Sequence, residues 1–274
     1  MNLLFSSKRI LRPSCRLFGS YVDGIPLQKD LPKTIDFRSD TVTQPNAALR
    51  KQMVDAPTGD DVFYDDPTIN RLQDEMAKLF GKEAAILVPS GTMGNLMAMM
   101  LNCNRKGDAA IIGDMSHINN WERGNMAAAG SVFPITLQNQ ADGTIDLKEV
   151  EYFTRNHTPD PHLAINTLFC LETSHNECNG RVLRMDYIKQ AKKVAKKYKM
   201  KMHLDGARSF NAAVFLGISP AEMCKDFDTV NVCLSKGLGA PLGSVLIGNA
   251  KDIKHCLIIR KLLGGNLRQA GIIC

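Results

Sequence analysis

The sequence predicts an α/β fold, a mostly parallel seven-stranded sheet flanked by helices. Two observations carry this. Seven short apolar runs punctuate the chain, several of them nearly continuous hydrophobic stretches, as strands covered on both faces require. Segments with helical periodicity lie between them, and strands alternating with helices imply right-handed crossovers. With 274 residues, 44% of them hydrophobic and 23% charged, the chain has the balance of a globular protein.

The strands are read at Ala84–Pro89, Ala109–Gly113, Ser131–Leu137, Thr167–Glu172, Met200–Asp205, Val230–Leu234 and Gly243–Gly248. The clearest helix is Asp186–Lys199, where Tyr187, Ile188, Ala191, Val194, Ala195 and Tyr198 repeat at helical spacing. Its five intervening lysines read as a solvated face rather than a phosphate-binding patch. Residues 1–33 differ from the rest: they form a targeting or disordered segment, residues 34–260 the large domain with an N-terminal arm, and 261–274 the start of a C-terminal region.

Lys8, Arg9, Arg12 and Arg16 place four of the six net positive charges in the first 22 residues, which hold no acid. That composition fits a mitochondrial transit peptide, with a disordered tail and a cytoplasmic protein as the alternative. The small excess left over gives no footprint for nucleic acid. No apolar run reaches the roughly 18 residues of a membrane span. The eight cysteines are scattered without a Cys-x-x-Cys pair, against a disulfide scaffold or a thiolate metal site. No metal site is expected.

In parallel α/β sheets ligands bind beyond the carboxyl ends of the strands, so polar residues there are the candidates. Ser90-Gly91-Thr92-Met93-Gly94-Asn95 follows the first strand and opens a helix from Gly94 to about Leu101. Free backbone N–H groups and a helix dipole suit a phosphate, although Ser-Gly-Thr is also an ordinary cap. His117 follows the second strand and could stack on a planar ligand, or be a plain loop histidine.

Asp205 ends the fifth strand, where a buried carboxylate needs a cation. Arg208 is one candidate partner, and a protonated heterocyclic nitrogen is the other. Lys236 follows the sixth strand among glycines, where desolvation and cationic neighbours would lower its pKa toward a nucleophilic amine. Together these describe a pyridoxal 5′-phosphate site: Lys236 joins the aldehyde, Asp205 holds the ring nitrogen, Ser90–Asn95 the phosphate, and His117 covers the ring.

The chain resembles the low-specificity threonine and allo-threonine aldolases of the aspartate-aminotransferase fold. The resemblance rests on Asp36–Thr43, Gly59–Val62 with Asp66-Pro67-Thr68, Ser90–Asn95, His117, Gly180–Leu183, His203–Arg208, Ser235–Ser244 and Arg260–Gln269. It implies that Lys236 carries the cofactor, Asp205 pairs with the pyridinium, and Ser90, Gly91 and Thr92 line the phosphate. It implies further that Ser39 and Arg208 hold the substrate carboxylate, with Arg208 also near the cofactor. His162 stands where the family has a second active-site histidine, and Lys261 and Arg268 match basic positions near the cofactor. The implied reaction cleaves a β-hydroxy-α-amino acid to glycine and an aldehyde through an external aldimine, in a homodimer or homotetramer.

Three departures qualify the resemblance. The small C-terminal domain of the family is missing, and the chain stops apparently in mid-helix at Arg268–Cys274, so exposed apolar surface and weak turnover are expected. Phe63-Tyr64-Asp65 precedes Asp66-Pro67-Thr68 where the family has Tyr-Gly-Glu/Asp. Asn125 and Asn266 replace glycines. A catalytically inert subunit that retains the cofactor, and a β-eliminating lyase, are the competing readings.

Overall fold

The computed structural model describes residues 35–154 and 160–274. The reading of residues 1–33, with the targeting segment it contains, lies outside them. The chain divides into two units, Met1–Ser39 and Asp40–Cys274. In the described part of the first, the Arg38 guanidinium folds back on Asp36, with Nε 2.8 Å from Oδ2.

The second unit is built on seven strands: β1 (Ala84–Val88), β2 (Asp108–Gly113), β3 (Phe133–Leu137), β4 (Ile165–Glu172), β5 (Lys201–Asp205), β6 (Thr229–Cys233) and β7 (Ser244–Gly248). Each falls on one of the apolar runs. Their order across the sheet is β1-β7-β6-β5-β4-β2-β3. Only β7 is reversed, antiparallel to both β1 and β6. Residues 234–243 join β6 to β7 without a helix, and Gly239 and Gly243 turn there at φ +77° and +101°. Parallel neighbours need a longer crossover, so this glycine-rich loop returns the chain antiparallel.

The helices are α1 (Ala47–Asp55), α2 (Pro67–Leu79), α3 (Gly91–Asn102), the one-turn α4 (His117–Asn120) and α5 (Asn125–Ala128), α6 (Leu147–Thr154), α7 (Met185–Lys197), α8 (Ser209–Leu216), α9 (Pro220–Cys224) and α10 (Ala250–Leu262). Several of their starts carry a cap legible in the sequence. Asp66 caps α2 by accepting from Thr68 and Ile69 N–H at 3.0 Å, with Pro67 at the first helical position. The lysine-rich helix is α7; it buries Ile188, Ala191 and Ala195 and ends two residues early, with Lys199 at φ +58°.

Side chains on the two faces of the sheet form the core. One cluster joins Ile69, Phe80, Phe169, Leu204 and Phe227 under α2 and α7; another joins Ile86, Met97, Leu246 and Cys256 under α3 and α10. β2, β6 and β7 are buried throughout, whereas β3 is a half-exposed edge with Phe133 in solvent.

Residues 261–274 group with the second unit. They finish α10 and then form a 3₁₀ turn, Ala270–Ile273, rather than an interrupted α-helix. Gly271 N–H donates to Asp66 Oδ2 at 2.9 Å, so the capping carboxylate of α2 also anchors this segment. Tertiary docking, invisible to local pattern, decides its shape.

Candidate active site

β1, β2, β4, β5 and β6 run in one direction, so Val88, Gly113, Glu172, Asp205 and Cys233 finish at one edge of the sheet. The chemistry gathers there. A small cavity of about 20 Å³ is lined by Gly91, Asn95, His117, Glu172, Asp205 and Lys236, with Arg208 and Cys233 beside them.

α3 begins at Gly91, three residues before the start read from sequence. Ser90 is its cap, the side chain accepting from Met93 N–H at 3.2 Å. The early start has a packing reason. A Cβ at Gly91 would lie 2.8 Å from Cys233 Sγ, and one at Gly94 2.2 Å from Asn231 Oδ1, so only glycine lets α3 sit this close to β6. The Gly91 and Thr92 N–H groups precede the first intrahelical bond and have no partner among the described residues. With roughly half a positive charge of helix dipole behind them, they suit an anion.

Asp205 is buried on the central strand. Its Oδ2 accepts from Asn95 Nδ2 at 2.9 Å and its Oδ1 from Ala207 N–H at 3.2 Å. Arg208 is not its partner, contrary to one of the two sequence alternatives. The guanidinium instead forms a two-pronged pair with Asp40, Nε to Oδ2 at 2.7 Å and Nη2 to Oδ1 at 2.8 Å. That fork-to-fork geometry is the stronger arrangement. Asp205 is left with no cation among the described residues.

His117 opens α4. Its N–H donates to Glu172 Oε2 at 2.7 Å, and its Nδ1 lies 2.9 Å from Glu122 Oε1. Burial alone would lower the ring's pKa, but the Glu122 hydrogen bond and the charges of Asp205, Glu122 and Glu172 hold it above the ordinary histidine value. Glu172, beside Asp205 in the β4–β5 register, is pushed up to about 7 by burial and then by that neighbour's charge.

Lys236 sits half-buried in the β6–β7 loop, fixed where Thr43 Oγ1 donates to its carbonyl at 2.6 Å. Its ammonium makes no ion pair or hydrogen bond among the described residues. Burial would raise the Asp40 carboxyl, but Arg208 and then Lys236 bring it below the usual carboxylate value.

Not every expected residue arrives. His162 is 87% exposed, bonded to Asp160, and precedes β4. The site lies at the other end of that strand, about 23 Å away at 3.3 Å per residue. Within one chain, His162 is therefore outside the cluster. Arg268 is mostly exposed and pairs with Asp60 at 2.9 Å, and Lys261 is exposed. Ser39 belongs to the first unit. Ser90 acts through its cap, and the Thr92 side chain is half-exposed at the helix mouth.

Glu122, Glu172 and Asp40 were not singled out in the sequence as site residues, and Asn95 was read only as the end of the phosphate-side turn Ser90–Asn95. Glu172 carried a usable signal, a carboxylate at a strand's carboxyl end, and Asn95 lies one helical turn beyond Gly91. Glu122 carried none. His117, Glu122 and Asp205 present ligand atoms within 4.8 Å of one another, but a cation there would have to displace the Asn95 amide from both carboxylates.

The β-eliminating lyase family model matches residues 36–274. Low-specificity L-threonine aldolase 1 of Arabidopsis thaliana is 45% identical over 242 residues, covering 88% of this chain and 68% of that one. The low specificity L-threonine aldolase of Escherichia coli K12 is 44% identical over 239 residues, covering 87% and 70%. The chain belongs to the low-specificity L-threonine aldolases of the β-eliminating lyase family.

Members of this family are lyases that depend on pyridoxal phosphate. The fold agrees: the threonine aldolase of Leishmania major superposes with a TM-score of 0.76 at 18% identity, over 86% of this chain and 68% of that one. A Listeria monocytogenes protein described as a putative L-allo-threonine aldolase gives 0.70 at 21%, over 85% and 65%. The chain thus spans about two thirds of the length of such relatives.

Proposed function

We propose that this chain holds pyridoxal 5′-phosphate at the strand-end cavity and cleaves threonine or allo-threonine to glycine and acetaldehyde. One observation carries the reading: Lys236 and Asp205, both without an ionic partner among the described residues, line the same small cavity. A buried carboxylate lacking a cation is costly, and a protonated ring nitrogen would satisfy it. An amine without a partner suits an aldehyde, and the α3 N-terminus suits a phosphate. The donor set fits the cofactor.

Bound there, the cofactor supplies an electron sink for the carbon–carbon bond that breaks. The chain's own residues do the rest. Asp205 keeps a proton on the ring nitrogen, and Asn95, donating to Oδ2, holds that carboxylate in place. His117 lies against the cavity with Nδ1 engaged by Glu122, which leaves Nε2 to face the ligand and hold or pass a proton. Arg208, fixed by Asp40, offers a positive charge at the rim for a substrate carboxylate.

The test is direct. Purified protein should take up pyridoxal phosphate with the visible absorbance of a lysine adduct, and Lys236→Ala should lose it. Acetaldehyde release from allo-threonine supports the aldolase reading, whereas ammonia and pyruvate from serine would redirect it to β-elimination. Association as a homodimer or homotetramer is part of the proposal, supported by exposed Val214, Phe215, Ile258 and Leu262 and tested by sedimentation. Mitochondrial rather than cytoplasmic residence rests on the basic residues 1–22, and an import assay with and without them decides it.

A further inference from the structure

Behind the cavity wall lies a set of polar side chains that the reaction reading leaves mostly unused. Asn95, buried in α3, makes every hydrogen bond its amide can make. Nδ2 donates to Glu122 Oε1 at 2.7 Å and to Asp205 Oδ2 at 2.9 Å. Oδ1 faces Asn231 Nδ2 at 2.8 Å and His203 Nε2 at 3.1 Å. Since Oδ1 only accepts, His203 carries its proton on Nε2, and its Nδ1 accepts from the Thr229 hydroxyl at 2.9 Å. Burial pulls His203 down to about 4, so this ring is neutral and acts as a fixed donor.

The same Glu122 Oε1 that receives Asn95 also receives His117 Nδ1 at 2.9 Å. Glu122 is buried and its pKa is raised, by burial first and by the Asp205 charge. Two carboxylates this close repel, and a neutral donor shared between them lowers that cost without bringing in a cation to desolvate.

We propose that Glu122 is a positioning residue that fixes His117 with Nδ1–H toward its own carboxylate and Nε2 toward the cavity, and that Asn95 couples this pair to Asp205. The proposal rests on the reading of His117 and Asp205 as the groups facing the ligand, but concerns residues that reading does not assign. Coupling has a direct consequence. Three acids face the His117 proton: Glu122 after α4, Glu172 from β4 and Asp205 from β5. Any cation that pairs with Asp205 removes part of the field holding that proton, and the ring gives it up more readily. Lys236 and Arg208, which line the same cavity, bear on it in the same sense.

The test is the titration of the His117 ring by NMR in the full chain without cofactor, with its signal identified by its loss in His117→Gln. Glu122→Gln should lower the midpoint by about one pH unit or more, because burial remains while the anionic partner is gone. Asn95→Ala, which leaves His117 and its acceptor in place but removes the donor shared by the Glu122 and Asp205 carboxylates, should lower it by a smaller amount. An unchanged midpoint in folded Glu122→Gln overturns the positioning role, and an unchanged midpoint in Asn95→Ala overturns the coupling. If Glu122→Gln does not fold, Glu122→Asp serves, since the shorter acid cannot keep the 2.9 Å bond and the midpoint should still fall. In the loaded enzyme the acid limb of the kcat/KM profile should move with the midpoint. A wild-type protein that never takes up pyridoxal phosphate would sink the cofactor reading and leave these midpoints to judge this one.

Discussion

The two walls of the cavity treat the same chemical group in opposite ways. On the Asn95 side, Glu122 and Glu172 are buried among other acids and neutral donors, and both are pushed upward, Glu172 to about 7. On the Lys236 side, Asp40 is partly buried too, yet it lies below its ordinary value because Arg208 and Lys236 face it. Burial alone does not set a carboxyl's charge. The sign of its neighbours does, and a cavity with raised carboxyls behind one wall and a fixed ion pair behind the other suits proton transfer beside an anchored carboxylate.

The largest way to break this contrast is Lys236→Ala. Removing the only amine that lines the cavity among the described residues should cost activity by about 10⁴-fold or more and abolish cofactor uptake, read by absorbance and turnover. Asp205→Asn keeps the shape and removes the carboxylate charge proposed to hold the ring nitrogen's proton; kcat should fall by about 10²- to 10³-fold with the protein still folded. His117→Ala should cost about 10²- to 10⁴-fold, whereas His162→Ala, at the far end of β4, should cost less than about tenfold. Equal losses at the two histidines would show that a second chain brings His162 to the site.

The smallest effect concerns pH. Glu172 has a folded pKa of about 7, above its unfolded value near 4.3, so between these values the folded state binds more protons. Stability contributed by its protonated form is therefore lost as pH rises through that window. Asp40 behaves oppositely: its pKa is depressed, so its contribution is present above the unfolded value near 3.9 and lost as pH falls below it. Melting temperature should fall between about pH 4.5 and 7 for the Glu172 reason, and Glu172→Gln should flatten that decline. A slope that survives the substitution would assign the remainder to Glu122 and His117, which are raised as well.

Much of this was legible in the chain. Apolar runs located the seven strands, because a strand buried on both faces must be apolar along its length and even the half-exposed edge β3 keeps Ile135 and Leu137 inward. The rule that ligands gather at strand ends singled out Gly91, His117, Asp205, Arg208 and Lys236, which line one cavity. The failures share a cause. The start of α3 depended on β6 passing against Gly91, and the partner of Arg208 on Asp40, 168 residues away. Glu122 lies five residues past His117, a spacing that no periodic rule marks.

Sequence by itself determined which segments are strands, which are helices, and which chemical groups stand at their ends, because these follow from local patterns of burial and capping. Only the tertiary structure decided that β7 is reversed, that His162 faces solvent, and that Asn95 bridges two acids. Hydrogen bonds and charges act over a few ångströms of space, and separation along the chain does not report which groups fall within that reach.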